Sequence, residues 1–389
     1  MVEVEVSSPN FDTGDRAMNP LRHYPILNSL LRPFRLSQQK TCAALVVALC
    51  QAAQASSFAI AGQLSCLTSV QFGSALTRLY RFLRNERFDN WLLTERMLCL
   101  LNQPDKSLLL ALDWTSWQDR FSVLTASVCV GTRSIPVAAS ACVKRNLSRS
   151  QNLWEETFLR LMVDRLRAAQ VSAIWLCDRG YHRVAWLQKL SQMKQHFVVR
   201  LQRDVTVHLR DEVCLLKRLE IREGEQRDFG FVYLRADEFV RVRLIGVWAK
   251  GAKEVWWLAT DLTNRVSKVV AYYDRRMGIE EQFRDAKGVR FGMKLKWTQF
   301  TKAEFVERMY LLVGVALLLW TTVGCAVEES QPKVRLMSKT KGARLSLARI
   351  GSYYWQSVVK RWRLTISFVR EHLPPPRLRV FKWLMAPQN

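Results

Sequence analysis

The residues best suited to chemistry lie in Tyr272–Lys287, Y-Y-D-R-R-M-G-I-E-E-Q-F-R-D-A-K. Read as one helix, this stretch places Tyr273, Arg276, Glu280 and Lys287 at about 0°, −60°, −20° and −40°. One acid therefore shares a stripe with a phenol and two cations. Ordinary i,i+4 pairing on a solvated helix would give the same composition, but Met277 and Phe283 do not continue a clean apolar stripe. Two isolated acids upstream enlarge the set: Asp113 ends the apolar run L-L-L-A-L, and Asp178 ends A-I-W-L-C. Three carboxylates gathered from two strand ends and a helix can hold divalent metal against a phosphate.

Other acids rank lower. Asp119 lies beyond a W-T-S-W-Q turn and reads as a cap of the next strand. Glu281 points about 100° away from the stripe, Asp274 and Asp285 face elsewhere, and Asp204 follows a strand without the R-G-Y that follows Asp178.

The 389 residues carry a formal charge of +25 and a pI near 10.1. So large a surplus points to a polyanionic partner, with nucleic acid ahead of an anionic membrane surface. Nine scattered cysteines form no C-x-x-C pair, and five histidines form no ligand-spaced cluster. Both facts argue against a disulfide framework and against zinc. The N-terminal M-V-E-V-E-V has neither the basic nor the apolar region of a signal peptide.

The elements that must position the three acids can be read in order. Residues 1–25 read as a loose arm. Ser37 is expected to cap a helix over 38–54, followed by a short helix at 58–65, a turn near Thr68–Ser69, and a longer helix through A-L-T-R-L-Y-R-F-L-R-N. This arrangement suits a helix-turn-helix unit with Arg78, Arg81 and Arg84 on its last helix; a plain helical bundle with solvated arginines is the alternative. Asn90–Leu101 is a further helix. Strands are expected at Ser107–Asp113, Phe121–Val130, Ile135–Val143, Val171–Cys177 and H-F-V-V-R-L, with helices at Trp154–Ala169 and Tyr181–Met193. That order is a ribonuclease-H-like α/β core, a mixed sheet with helices on its faces.

Between Asp204 and Thr260 short alternating runs predict a mostly β insertion before the helix of Glu280. Its Trp256 and Trp257 read first as sheet packing. Residues 310–327 form 18 uncharged positions, the lower limit for a membrane span, and read as a helix buried against the sheet. Residues 331–389 hold 13 Lys or Arg against one acid, Glu371. This stretch, including Lys360, Arg361 and Arg363, reads as a phosphate-contacting surface, with a generic basic face as the alternative.

The spacing Y-x2-R-x3-E-x6-K at Tyr273, Arg276, Glu280 and Lys287 resembles the signature of the insertion-sequence-four family of bacterial transposases, the cut-and-paste DDE branch. Asp113 in L-D-W-T and Asp178 in D-R-G-Y, with Arg179 and Gly180 following, resemble that family's two catalytic aspartates. The likeness extends from about residue 35 to residue 325.

The resemblance implies five regions. These are a helical DNA-end-binding domain (1–103), the first part of the catalytic core (104–203), the β insertion (204–262), the second part of the core (263–329) and a basic DNA-binding or dimerisation region (330–389). It implies Asp113, Asp178 and Glu280 as ligands of two Mg2+ ions, with Mn2+ as a substitute. Asp113 would bridge the ions, while Tyr273, Arg276, Lys287 and Arg179 contact DNA. Members of the family hold a flipped base with an aromatic of the insertion; Trp256 and Trp257 are the candidates for that DNA contact, with sheet packing as the other reading and no motif that singles out either. The implied substrate is double-stranded DNA, both the element's terminal inverted repeats and the target. The protein is expected as a DNA-bound homodimer in the bacterial cytoplasm, associated with the nucleoid and not with a membrane. In the scheme the resemblance implies, water would make the first nick and the freed 3′-hydroxyl would attack next. A DNA-binding protein of the same fold that no longer cuts, and a nuclease without strand transfer, are the alternatives.

Overall fold

The structure is a computed structural model of the chain, and it describes residues 20–359 apart from 132, 148–149, 210–211, 235–239, 288–292, 294–297, 299 and 331–345. The helical N-terminal region comprises α1 (Pro20–His23), α2 (Pro25–Leu31), α3 (Leu36–Ala52), α4 (Ser57–Thr68), α5 (Phe72–Arg84) and α6 (Asn90–Leu101). Strands β1 (Leu108–Trp117), β2 (Phe121–Val130) and β3 (Arg133–Val143) come next. They are followed by α7 (Lys144–Leu147), α8 (Gln151–Ala168), β4 (Ala173–Cys177), α9 (Val184–Gln192) and β5 (His196–Leu201). The insertion supplies β6 (Thr206–Leu209), β7 (Glu212–Leu215), β8 (Gln226–Leu234), β9 (Val240–Val247) and β10 (Trp256–Thr260). The chain then forms α10 (Val266–Asp274), α11 (Met277–Lys287), α12 (Ala303–Ser330) and α13 (Leu347–Val359).

All ten strands join one sheet, ordered β3-β2-β1-β4-β5-β10-β9-β8-β6-β7. β1, β2 and β3 form an antiparallel meander, while β4 runs parallel to both β1 and β5. This is a ribonuclease-H-like mixed sheet with an all-helical region before it. The insertion extends the same sheet, because β10 pairs antiparallel with β5 through Trp257↔Leu201 to Thr260↔Val198.

Three local readings are corrected. β1 does not end at Asp113 but continues to Trp117, and the turn falls at Gln118 and Asp119, whose φ values are 50° and 52°. The W-T-S-W stretch is strand because Thr115 and Trp117 are buried while Ser116 faces solvent, the period-2 alternation of a half-covered strand. Tyr272–Lys287 is not one helix, since it breaks between Asp274 and Met277. Ser37 does not cap α3, which begins at Leu36 with Gln38 Oε1 accepting from the Arg35 N–H. Ser56 caps α4 through the Ala59 N–H, and Asp89 caps α6 through the N–H groups of Trp91 and Leu92.

One apolar layer joins Ile174, Leu176, Val198, Ile245 and Leu258 to Val269 and Tyr273. It seats α10 on the sheet face toward which alternate residues of β1 and β4 point. α12 is long and apolar enough to cross a membrane, yet its apolar window is wholly buried. It packs on β3, α3 and α13. A Cβ on Gly324 would lie 1.9 Å from the Leu347 carbonyl oxygen, and one on Gly351 would lie 1.8 Å from that of Trp320. Only glycines allow the backbones of α12 and α13 to meet so closely.

Candidate active site

The parallel ladder between β1 and β4 ends at Leu112↔Cys177. Asp113 and Asp178 are the next residues on the two strands, so the sheet sets them side by side at the carboxyl end of β4. Side-chain alternation directs both toward the face carrying α10. The Asp113 carboxylate accepts from the Trp114 N–H at 2.8 Å. That of Asp178 accepts from the Gly180 N–H at 2.8 Å and starts the short 3-10 turn Arg179–Tyr181. A Cβ at residue 180 would press to 3.0 Å from this carboxylate oxygen, so glycine keeps that space open.

Arg276 sits in the break between α10 and α11, where the N–H groups of Arg276, Gly278 and Ile279 bond three residues back instead of four. The tight turn carries a nearly buried guanidinium into the midst of the acids. Its Nη2 lies 3.5 Å from Asp113 Oδ2 and 3.6 Å from Asp178 Oδ2, and its Nη1 lies 3.5 Å from Glu280 Oε1. The structure thus brings together the three acids singled out in the sequence, with the arginine between them. Burial pushes the Asp113 carboxyl up to about 6; Arg276 opposes this shift and the Asp178 charge adds to it. Burial works against the Arg276 charge, but Tyr273, Asp113, Asp178 and Glu280 reverse the effect and leave its pKa raised.

Lys287, at the far end of α11, donates to the Thr115 hydroxyl and to the Ser116 carbonyl of β1. Tyr273 is buried, with its ring edge-on to Trp256 at 5.3 Å. Trp256 is half-buried beside the site, under the Arg200 guanidinium. Trp257 points to the other face and is buried against Phe229. Arg179 is exposed and lies 3.6 Å from Glu254, which also holds Arg200 at 2.6 Å.

Acids ranked lower in the sequence stand apart from this group. Glu281 pairs with Arg133 and Arg284, and Asp285 lies 3.6 Å from Arg133, so both tie α11 to β3. Asp119 pairs with Lys144 at the hairpin turn, and Asp204 pairs with Lys217.

The donor set suits a hard divalent cation, since it offers carboxylate oxygens alone around a point already occupied by positive charge. Among the described residues, however, no three His, Cys, Asp or Glu side chains stand close enough together to hold a metal ion as placed. Each of the three acids is turned to Arg276 instead.

Arg78, Arg81 and Arg84 lie on the exposed face of α5, whose opposite face buries Ala75, Leu79, Phe82 and Leu83. Arg78 and Arg81 line a groove of about 560 Å³ with Ser37, Gln38, Thr41 and Asn85. Lys360, Arg361 and Arg363 lie outside the described residues.

One functional candidate escaped the sequence reading. Glu155 occupies the first position of the buried stripe Glu155, Phe158, Leu159, Met162, Val163, Leu166 on α8. An acid standing where the helical period demands an apolar residue was the available signal.

No curated protein matches the chain. The profile of the transposase DDE domain matches residues 104–319, more than half of the sequence and all of the site just described. The chain therefore belongs to the DDE transposase family.

Proposed function

We propose that the protein is a cut-and-paste transposase of the insertion-sequence-four type, cleaving DNA at element ends and joining the freed 3′-hydroxyl to target DNA. The observation that carries this reading is the convergence of Asp113, Asp178 and Glu280 on one buried guanidinium, within 3.5–3.6 Å of it. So much negative charge is retained at the end of a parallel strand pair at a cost in stability, which a metal-binding role explains. Asp113, Asp178 and Glu280 would hold Mg2+, or Mn2+ in its place, and the bound cations supply the Lewis acidity that eases attack at phosphorus.

The chain's own residues do the rest. Arg276 balances the acids, Lys287 fixes α11 against β1, and Tyr273 with Trp256 forms an aromatic wall at the site's edge. Arg179 and Arg200 offer guanidiniums to the phosphates flanking the cut. Trp256, half-exposed, is the better placed of the tryptophan pair to stack on a displaced base. The exposed arginines of α5 would read the element ends, the basic C-terminal region would add phosphate contacts, and two DNA-bound copies would pair before cutting.

A cleavage and strand-transfer assay on duplexes carrying the repeats that flank the gene tests the proposal. Activity is expected with Mg2+ or Mn2+ and none after chelation. Activity that depends on Zn2+ retained through purification would refute an all-carboxylate site, and cleavage without joining would leave a nuclease.

A further inference from the structure

The sheet face opposite the carboxylates holds a second charged group. Strand alternation turns Trp114 away from Asp113, and its Nε1 donates to Glu155 Oε1 at 2.7 Å. The same oxygen accepts from Gln151 Nε2 at 2.8 Å. The other oxygen of Glu155 pairs with Arg183 Nη2. Glu155 is 1% exposed. One buried carboxylate on α8 therefore grips the residue next to Asp113 on β1 and the residue five positions after Asp178, which follows its 3-10 turn and stands at the N-cap of α9. Those two segments carry the acids; the β1–β4 ladder stops just before them, and beyond it Arg276 bridges the acids themselves on the other face.

We propose that Glu155 is a positioning residue for the active site: a strut that fixes the Asp113 strand and the Asp178 turn relative to each other, so that both acids keep the spacing a divalent cation needs. The inference rests on the reading of Asp113 and Asp178 as metal-holding acids. A neutral core residue at 155 would fill the space and keep α8 packed. It would leave the Trp114 indole and the Arg183 guanidinium without a shared partner, and only the ladder and Arg276 would then hold the two segments in register.

The test is Mn2+ binding to the full-length protein, measured by electron paramagnetic resonance without DNA, alongside thermal melting. Wild type, Asp113→Asn, Glu155→Gln, Trp114→Phe and Arg183→Gln are compared, with the last two also combined with each other and each, singly and together, placed in the Glu155→Gln background. Glu155→Gln keeps an acceptor for Trp114 but loses the ion pair, and Trp114→Phe loses only the indole donor. Removing such supporting partners commonly weakens metal binding by about 10–100-fold. We expect about a tenfold rise in the Mn2+ dissociation constant for Glu155→Gln and a smaller rise for each of the other two. The Trp114→Phe and Arg183→Gln effects should be non-additive with Glu155 present and additive in the Glu155→Gln background.

Should Glu155→Gln fail to fold, the Trp114→Phe and Arg183→Gln pair still decides by its coupling. A lower melting temperature with Mn2+ affinity within about twofold of wild type, or strict additivity in both backgrounds, overturns the strut and leaves the reading of the acids intact. If wild type binds no Mn2+, or Asp113→Asn binds it as well as wild type does, the reading of the acids fails and the strut falls with it.

Discussion

Arg276 Nη2 stands 3.5 Å from Asp113 Oδ2, although 163 residues separate the two in sequence. The contact joins the middle of a strand to a break between two helices, and Asp178 and Glu280 complete the ring around the same guanidinium. Such a cation holds acids together when no metal is bound, and it competes with metal for them.

Substituting that cation should therefore have opposite effects with and without metal. Removing one partner of a buried ion pair costs about 3–5 kcal/mol, so Arg276→Gln should lower stability by several kcal/mol in urea unfolding with divalent ions chelated. Because three acids would then lack a counter-charge, Mg2+ should restore more stability to Arg276→Gln than it adds to wild type. Equal Mg2+ increments in the two proteins would show that Arg276 does not share the acids' site.

The pH dependence follows from Asp113. Its carboxyl is raised from 3.8 to about 6 in the folded protein, chiefly by burial. A raised acid contributes stability that is fully present below the unfolded value and is lost as pH climbs through the folded one. Metal-free wild type should lose that contribution between about pH 4 and pH 6, at most about 3 kcal/mol at 1.36 kcal/mol per pH unit. Asp113→Asn cannot lose it. The melting temperature of Asp113→Asn relative to wild type should therefore be higher at pH 7.5 than at pH 4.5, as measured by calorimetry in chelator. A difference independent of pH would contradict the burial-driven shift.

Affinity and specificity for DNA should divide between two regions. Phosphate contacts add affinity without reading sequence, whereas base-edge contacts discriminate. Neutralising Lys360, Arg361 and Arg363 together should weaken binding to element ends and to random DNA by similar factors. It should also flatten the salt dependence by about 0.9 in slope for each phosphate no longer neutralised. Changing Arg81 or Arg84, exposed on α5, should cost element ends about 1–3 kcal/mol more than random DNA if the arginine reads a base edge. Titrating both variants on both DNAs at several salt concentrations separates the two roles, and a reversal would move the reading head to the C-terminal region.

Much of this architecture is legible in the sequence because local chemistry and burial agree. α6 begins where Asp89 caps it, and β2 spans Phe121–Val130, as its apolar run predicts. At D-R-G-Y the strand end is legible but not the turn: the expected helix from Tyr181 begins only at Val184, after a 3-10 turn that Asp178 caps through the Gly180 N–H. What was not legible depends on long-range partners. Ser116 and Thr115 look like turn residues until the sheet buries alternate positions of β1. No proline marks the break at Arg276, and Gly278 just after it reads as a helical glycine until its close approach to the Arg133 backbone is seen. The turn tightens where Tyr273 is buried on the sheet and Arg276 meets Glu280 and two distant aspartates. Glu155 stands out in the sequence only as an acid on the apolar stripe of α8, and its role depends on Trp114 and Arg183 converging on it.

The adjacent glutamates of α11 give the most direct test of the central claim, because they differ in surroundings and not in chemistry. Glu280 faces Arg276 and the two aspartates, whereas Glu281 pairs with Arg133 and Arg284. Cleavage of end-bearing DNA in Mg2+ should be abolished in Glu280→Gln, with gel-shift affinity for the same DNA nearly unchanged, while Glu281→Gln should still cut. A Glu280→Gln protein that cuts at the wild-type rate, with Glu281→Gln inactive, would contradict the account and transfer the third acid to the neighbouring position.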